Sequence, residues 1–419
     1  MSDRPTFETQ LRLALSTYVA DAPVDVDPVA MTTFASRARV PSTSSTLRRG
    51  SFVPILVGLL MIAIVGVGVA LVASRLEQQT PPRIYIDEVV SAADLSQEMT
   101  RPVVVALNDG RVLVMGAGSE GDGRPTTALV YDPTSGSSTS AGPFASPSEP
   151  ESISAAVRLL DGRVFVTGSG APQIFDPATN EFTAVGPMVA FRTDPALALL
   201  QDGRVLVASG LDTGGEWLLS AELFDPATRT FSATGSMSLV GAASPFGAIA
   251  TLPDGRVLIA GSPAVLYDPR TGAFSTAGRN DAFSATTAIV TQDGRVVVLG
   301  KSGIGTRTGH AALWDPTSGK FSEVLTTAPG YGIDRGTLLD DGRILVMGAD
   351  AGLRWAGIYD LETHEIRKID PPAAWWPTVT RLTDGRVLFV GGVSDWQLRL
   401  CPEYGCVSSP AVKTVEIFQ

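Results

Sequence analysis

The sequence predicts an all-β chain whose main part is a seven-bladed β-propeller, on three observations. The tripeptide Asp-Gly-Arg recurs seven times, beginning at Asp109, Asp161, Asp202, Asp254, Asp293, Asp341 and Asp384. Successive copies are 39 to 52 residues apart, a period that suits a four-stranded blade. Each copy follows an apolar stretch and precedes a β-branched run, as in Ala196 to Ser209, so two strands flank a tight turn. Asp-Gly at such a turn predicts a two-residue type I′ hairpin, with positive φ at both central residues.

Residues 1–51 read as a cytoplasmic segment. Phe7, Leu11, Ala14, Leu15 and Tyr18 fall at helical spacing, Asp27-Pro28 offers a cap and first helical residue, and residues 40–51 form a linker rich in serine and threonine. Residues 52–73 follow, 22 residues without a charge. At 1.5 Å per residue they span about 33 Å against roughly 30 Å of hydrocarbon, so a transmembrane helix is expected, with Pro54 harmless in its first turn. Arg37, Arg39, Arg48 and Arg49 precede it and only Arg75 and Arg83 follow closely. The positive side stays inside, which places the propeller outside the cytoplasm in a single-pass plasma-membrane protein. Residues 74–82 are the tether, and residues 83–419 the propeller.

Within each copy the hairpin is followed by an aromatic-Asp-Pro turn closing the third strand: Tyr131-Asp132-Pro133, Phe175-Asp176-Pro177, Phe224-Asp225-Pro226, Tyr267-Asp268-Pro269, Trp314-Asp315-Pro316 and a degenerate Tyr359-Asp360-Leu361. Seven residues after the aromatic, Phe182, Phe231, Phe274 or Phe321 opens the fourth strand, weakening to Ile366 and Ser138. Copy seven ends after its third strand, Thr414 to Phe418, so its fourth must come from elsewhere. The segment from Arg83 to Val90, an unassigned β stretch, is expected to supply it and close the ring.

This grammar resembles a bacterial kelch repeat, of the type found in galactose-oxidase-like propellers. The resemblance covers residues 83–419. The paired glycines usual after a kelch second strand survive only as Gly391-Gly392. Kelch propellers range from sugar-oxidising enzymes to interaction scaffolds, so the resemblance implies a fold and leaves the activity open. Its copper-radical oxidases bind the metal through two histidines and two tyrosines near the central axis. The histidines here, His310 and His364, are expected at opposite ends of their blades, so that set is not expected to assemble, and no cofactor or metal is assigned.

Charge narrows the partners. Residues 78–419 carry 25 Lys and Arg against 37 Asp and Glu, which argues against nucleic acid. The Asp-Gly-Arg arginines and the third-strand aspartates share one end of an up-down blade and are expected to pair: Arg111 with Asp132, Arg163 with Asp176, Arg204 with Asp225, Arg256 with Asp268, Arg295 with Asp315, and Arg343 with Asp360. The loops at the other end vary most in length, as loops of a grafted site do. They gather Arg192, Tyr331, Asp334, Arg335, Trp375, Trp376 and Trp396, aromatic platforms mixed with charge. Cys401 and Cys406, the two cysteines of the chain, lie nearby and are expected to form a disulfide in an oxidising compartment. Binding of a protein or carbohydrate is favoured over catalysis. The alternative is a carbohydrate- or cell-wall-active enzyme working through carboxylates such as Asp334 and Glu151.

Overall fold

The computed structural model describes residues 87–117, 127–144, 153–168, 170–238, 248–302, 307–350, 353–394, 398–399, 406–407 and 411–418. The cytoplasmic segment, the apolar stretch 52–73 and the tether lie outside them. Among the described residues no helix is long and apolar enough to cross a membrane.

Seven four-stranded antiparallel sheets make up the fold among the described residues. Blade 1 runs from Thr100–Ala106 through Val112–Ala117 and Thr127–Asp132 to Ser137–Ser140, from axis to rim. Blades 2 to 6 repeat that order, opening with the inner strands Ile153–Arg158, Ala196–Leu199, Ala248–Thr251, Ser284–Val290 and Arg335–Leu338. Each inner strand neighbours the next, and Thr378–Arg381 of blade 7 returns to blade 1, so the ring is closed.

Second strands such as Val205–Ala208 and Val257–Ala260 are buried along their whole length. They read as unbroken apolar runs because both faces of a blade are covered. Alternate residues serve alternate interfaces: Val112 and Val114 pack with Leu388 and Ile417 of blade 7, whereas Leu113 and Met115 pack with Val164 and Phe175 of blade 2. A single blade could not keep these faces dry, so its stability depends on its neighbours.

The hairpin turns correct the two-residue expectation. In blade 1 Leu107 N–H donates to Arg111 O at 2.8 Å and Gly110 N–H to Leu107 O at 3.3 Å. Three residues therefore lie in the loop, a type I turn followed by a left-handed glycine. All seven repeat glycines have φ between 82° and 90°, and none of the seven aspartates has a positive φ. Aspartate is needed for its side chain. Asp109 Oδ1 accepts from Arg111 N–H at 3.0 Å and Oδ2 from Arg111 Nε at 2.8 Å. The other six turns repeat this chelate.

That chelate overturns the expected ion pairs. Arg111, Arg163, Arg204, Arg256, Arg295 and Arg343 bind the aspartate two residues before them, not Asp132, Asp176, Asp225, Asp268, Asp315 and Asp360. The local partner wins because a two-residue separation leaves little chain entropy to lose. The third-strand aspartates instead accept from backbone two residues on, as Asp132 does from Thr134 N–H at 2.8 Å and Asp225 from Ala227 N–H at 2.8 Å. The same end of the blade is still shared, for Arg256 lowers the Asp268 carboxyl by charge, after the Arg270 hydrogen bonds. The aromatic repeat has a simple cause, since the turn sets Phe175 opposite Phe182, Phe224 opposite Phe231 and Tyr267 opposite Phe274. Their ring centroids are 4.8 to 4.9 Å apart.

Acid should dissolve this pattern. Burial raises the carboxyls of Asp109, Asp161, Asp202, Asp254 and Asp384, but the arginine hydrogen bonds outweigh it and hold them below 3.8. A group whose folded pKa is depressed adds stability above its unfolded value, and loses it as pH falls through the folded one. Buried Glu416 is raised by desolvation and acts oppositely, but it is one group against five. The melting temperature is therefore expected to hold down to about pH 4 and to fall below it. A melting temperature as high at pH 3 as at pH 5 would exclude a net contribution from the turns.

Ring closure follows the expected route, slightly displaced. Val89–Ser91 forms the outer strand of blade 7 and pairs with Val415–Phe418, with Val89 opposite Phe418 and Ser91 opposite Glu416. Beyond it the chain keeps to the same neighbour, with Leu95 N–H donating to Lys413 O at 2.7 Å and Met99 N–H to Val412 O at 3.1 Å.

Candidate functional site

The second-to-third and fourth-to-first loops share one end of the ring, and between blades 6 and 7 they enclose a cleft of about 320 Å³, its solvent mouth included. Asp334 and Arg335 enter it from the start of the inner strand of blade 6. Arg354 and Trp355 enter from its third strand, Leu353–Tyr359. Pro371, Pro372, Ala374, Trp376 and Pro377, from the link to blade 7, form the far wall. Prolines fix the link's backbone and hold that wall with little entropy to lose on binding.

The two tryptophans of the link part company. Trp375 is 9% exposed and its backbone exchanges both hydrogen bonds with Val393, at 2.8 and 3.0 Å. Trp376 takes a left-handed φ of 51°, which turns it out of the extended run to line the cleft. Their rings lie 5.9 Å apart. Arg354 lies 5.6 Å over the Trp375 ring and donates from Nη1 to Pro372 O at 3.0 Å, so packing and hydrogen bonding fix this cation at the cleft. Behind it the Trp355 indole N–H donates to Gly332 O at 3.0 Å. Tyr331 meets Trp355 edge-on at 5.7 Å, with Lys368 Nζ 4.0 Å over its ring. Asp334 pairs with Lys301.

The expected residues thus separate. Asp334, Arg335 and Trp376 line one cleft, Trp375 and Tyr331 support its walls, and Trp396 and Cys401 lie outside the described residues. Cys406 is described only in its backbone, as part of Cys406–Val407 paired with Leu398–Arg399, so the disulfide lies outside them as well. The sequence reading missed Arg354 and Trp355; the adjacent cation and aromatic at the start of a third strand could have flagged them.

Arg192 is corrected. It is 0% exposed and forms an ion pair at 2.7 Å with Glu222, itself 1% exposed. Nη1 also donates to Ser209 O at 2.7 Å and Ser220 O at 3.0 Å, while Glu222 accepts from Val189 and Ala190 N–H at 2.6 and 2.9 Å. No ligand can reach it, and it serves to clamp the entry loop of blade 3 to the third strand. In blade 7 the corresponding positions hold Ala374 and Glu416. The Glu416 carboxylate accepts from Ala373 N–H at 2.8 Å, and burial pushes its pKa up against that hydrogen bond and the charge of Arg354.

Solved structures share this architecture. A fungal alcohol oxidase of the AA5 family, in complex with copper, superposes with a TM-score of 0.59 at 16% identity, over 79% of this chain and 75% of that one. The extracellular domain of a putative one-component system from B. thetaiotaomicron gives 0.54 at 11% identity, over 80% of this chain but 40% of its own. A second structure, described as the extracellular domain of a putative hybrid two-component system from the same organism, gives 0.53 at 11% identity, again over 80% and 40%. The likeness is one of fold. No protein-family model and no curated protein matches the sequence. The histidines of this chain stand apart, with His310 at the loop end of blade 5 in Thr308–Asp315 and His364 in the rim turn of blade 6 between Leu353–Tyr359 and Ile366–Ile369. Among the described residues no group of three His, Cys, Asp or Glu could hold a metal ion.

Proposed function

We propose that this chain is a membrane-anchored, kelch-type recognition module that displays its propeller outside the cytoplasm and binds an acidic saccharide. The observation that carries the reading is the cleft between blades 6 and 7. Its aromatic and proline walls suit the apolar face of a sugar ring, and Arg335 and Arg354 supply donors for hydroxyls and a carboxylate. The uncharged stretch 52–73 and the arginines before it support the anchor and its orientation.

The purified full chain, titrated by calorimetry against neutral and uronic-acid-containing oligosaccharides, is expected to bind the acidic ones. Trp376→Asn removes the ring with a residue that tolerates the left-handed backbone, and Arg335→Gln removes the charge. Each is expected to weaken binding about tenfold or more, a loss above ~1.4 kcal/mol, at an unchanged melting temperature. Saccharide binding that ignores both substitutions would defeat the assignment to this cleft; binding of acidic peptides in place of saccharides would transfer the module to protein ligands.

A further inference from the structure

Blade 5 brings together three residues that no other part of the site uses. Ser302 ends its second strand, Val296–Ser302; His310 lies near the start of the third, Thr308–Asp315; Glu323 lies in the fourth, Lys320–Thr326. The register pairs Ser302 with Thr308 and Gly300 with His310, and after a bulge at Ala311 it sets Glu323 opposite Ala312. All three side chains therefore leave one face of the blade, the face whose Ala312 and Trp314 pack with Leu258 and Leu266 of blade 4.

Their atoms are in line. Ser302 Oγ lies 2.6 Å from His310 Nε2, and His310 Nδ1 lies 2.7 Å from Glu323 Oε1. Glu323 is anchored in turn by the Thr326 hydroxyl, which donates to Oε1 at 2.6 Å. That hydroxyl first, and His310 second, hold the Glu323 carboxyl below its ordinary value. A carboxylate can only accept, so Nδ1 carries the proton and Nε2 presents its lone pair to the serine hydroxyl. The imidazole ring is stacked on Phe283 with centroids 5.2 Å apart and planes within 3°. Gly300 makes room for that stack, since a Cβ there would meet the Phe283 ring at 2.6 Å. His310 is 8% exposed, while Ser302 is half-buried at the loop end of the blade.

We infer that Ser302, His310 and Glu323 form a nucleophile, base and positioning carboxylate that cleave a carboxylic ester. Ser302 Oγ bonds to the ester carbonyl carbon as its proton passes to His310 Nε2. The tetrahedral adduct collapses, the carbon–alkoxide bond breaks, and the Nε2 proton goes to the departing alcohol. Water then attacks the acyl-serine, giving a proton to Nε2, and the Ser302 oxygen leaves and recovers that proton. Acid and alcohol are released and the enzyme is unchanged. Serine is a weak nucleophile at its free pKa, and an adjacent base oriented by a third group is what activates it. The relay lies on blade 5 and the cleft on blades 6 and 7, so either can fail without the other.

The test treats the purified full chain with a fluorophosphonate probe, maps the adduct by peptide mass spectrometry, and follows p-nitrophenyl acetate hydrolysis. An adduct on Ser302 is expected, absent in Ser302→Ala and formed about 100-fold more slowly or worse in His310→Gln. Glu323→Gln should slow labelling at an unchanged melting temperature, with part of the rate restored in Glu323→Asp, a pattern that a merely structural carboxylate would not produce. No adduct on Ser302, or one that forms as fast in His310→Gln as in the parent, overturns the inference. Should His310→Gln not fold, labelling of Glu323→Gln at the parental rate overturns it in the same way.

Discussion

Deleting residues 87–91 is expected to cost the propeller on the order of 5 kcal/mol, comparable with the whole margin of many domains. The strand Val89–Ser91 is short, but it closes the ring from both sides. Val89 packs against Ile358 of blade 6 alongside Phe389 of its own blade, and Val90 toward blade 1 with Val112 and Leu129. Losing two half-buried valines costs about 2 to 3 kcal/mol, and the ladder to Val415–Phe418 adds about 1 kcal/mol per lost hydrogen bond. Asp87 contributes a further tie, since it accepts from Arg343 Nη1 and Nη2 at 3.0 Å each and also pairs with Arg367. It is 12% exposed and so draws the start of the closing strand onto blade 6. Removal would also bare Val415–Phe418 as an apolar edge, a template for association with other chains. Calorimetry and light scattering on the deleted chain should show a much lower melting temperature and aggregation. A melting point within about 1 °C of the parent, a shift worth under ~1 kcal/mol for a domain of this size, would mean that the ring holds without its clasp.

How far the sequence could be read depends on how local each determinant is. Blade number, strand order and the origin of the closing strand were legible because they follow from turn residues at a fixed period and from a copy that lacks a strand. The turn type was misread because Asp-Gly serves two- and three-residue loops alike. The cue was Pro253 in the fourth copy: it takes the second position of a type I turn, from Leu252 to Gly255, where its fixed φ is favoured. Strand adjacency alone points each arginine at the third-strand aspartate, but the aspartate two residues before it in the same turn is the partner it binds.

Side-chain environments were harder to read. Arg192 looks like any loop arginine in the sequence, and its burial follows from Glu222, a charge at a third-strand position that holds Leu129, Gln173, Val265, Ala312 and Gly357 in five other copies and a glutamate, Glu416, in the seventh, where Ala374 replaces the arginine. The blade 5 relay was beyond reach for a different reason. Ser302, His310 and Glu323 converge through strand register, including a bulge that no spacing rule announces. The cleft was legible in part, because aromatic and charged residues in long loops are visible, whereas Arg354 and Trp355 sit inside a strand.

Replacing Arg192 by alanine is expected to destabilise the fold by about 3 to 5 kcal/mol without touching ligand affinity. The arginine and Glu222 are 0% and 1% exposed, so truncating either leaves the other as an uncompensated charge in a low-dielectric interior. The guanidinium also satisfies Ser209 O and Ser220 O, and both carbonyls would be left without that donor. The expected order separates a clamp from a contact. Arg192→Ala and Glu222→Ala should each be severe, while Arg192→Met combined with Glu222→Leu should recover much of the loss, because an apolar pair of similar volume leaves no stranded charge. In the saccharide titration, Arg192→Ala protein that remains folded should bind as the parent does, since its side chain is sealed within blade 3 and the cleft lies between blades 6 and 7. Urea denaturation of the four variants measures the coupling. A mild Arg192→Ala phenotype with lost binding would return Arg192 to the ligand, and would mean that blade 3 opens in solution far more than its hydrogen bonds allow.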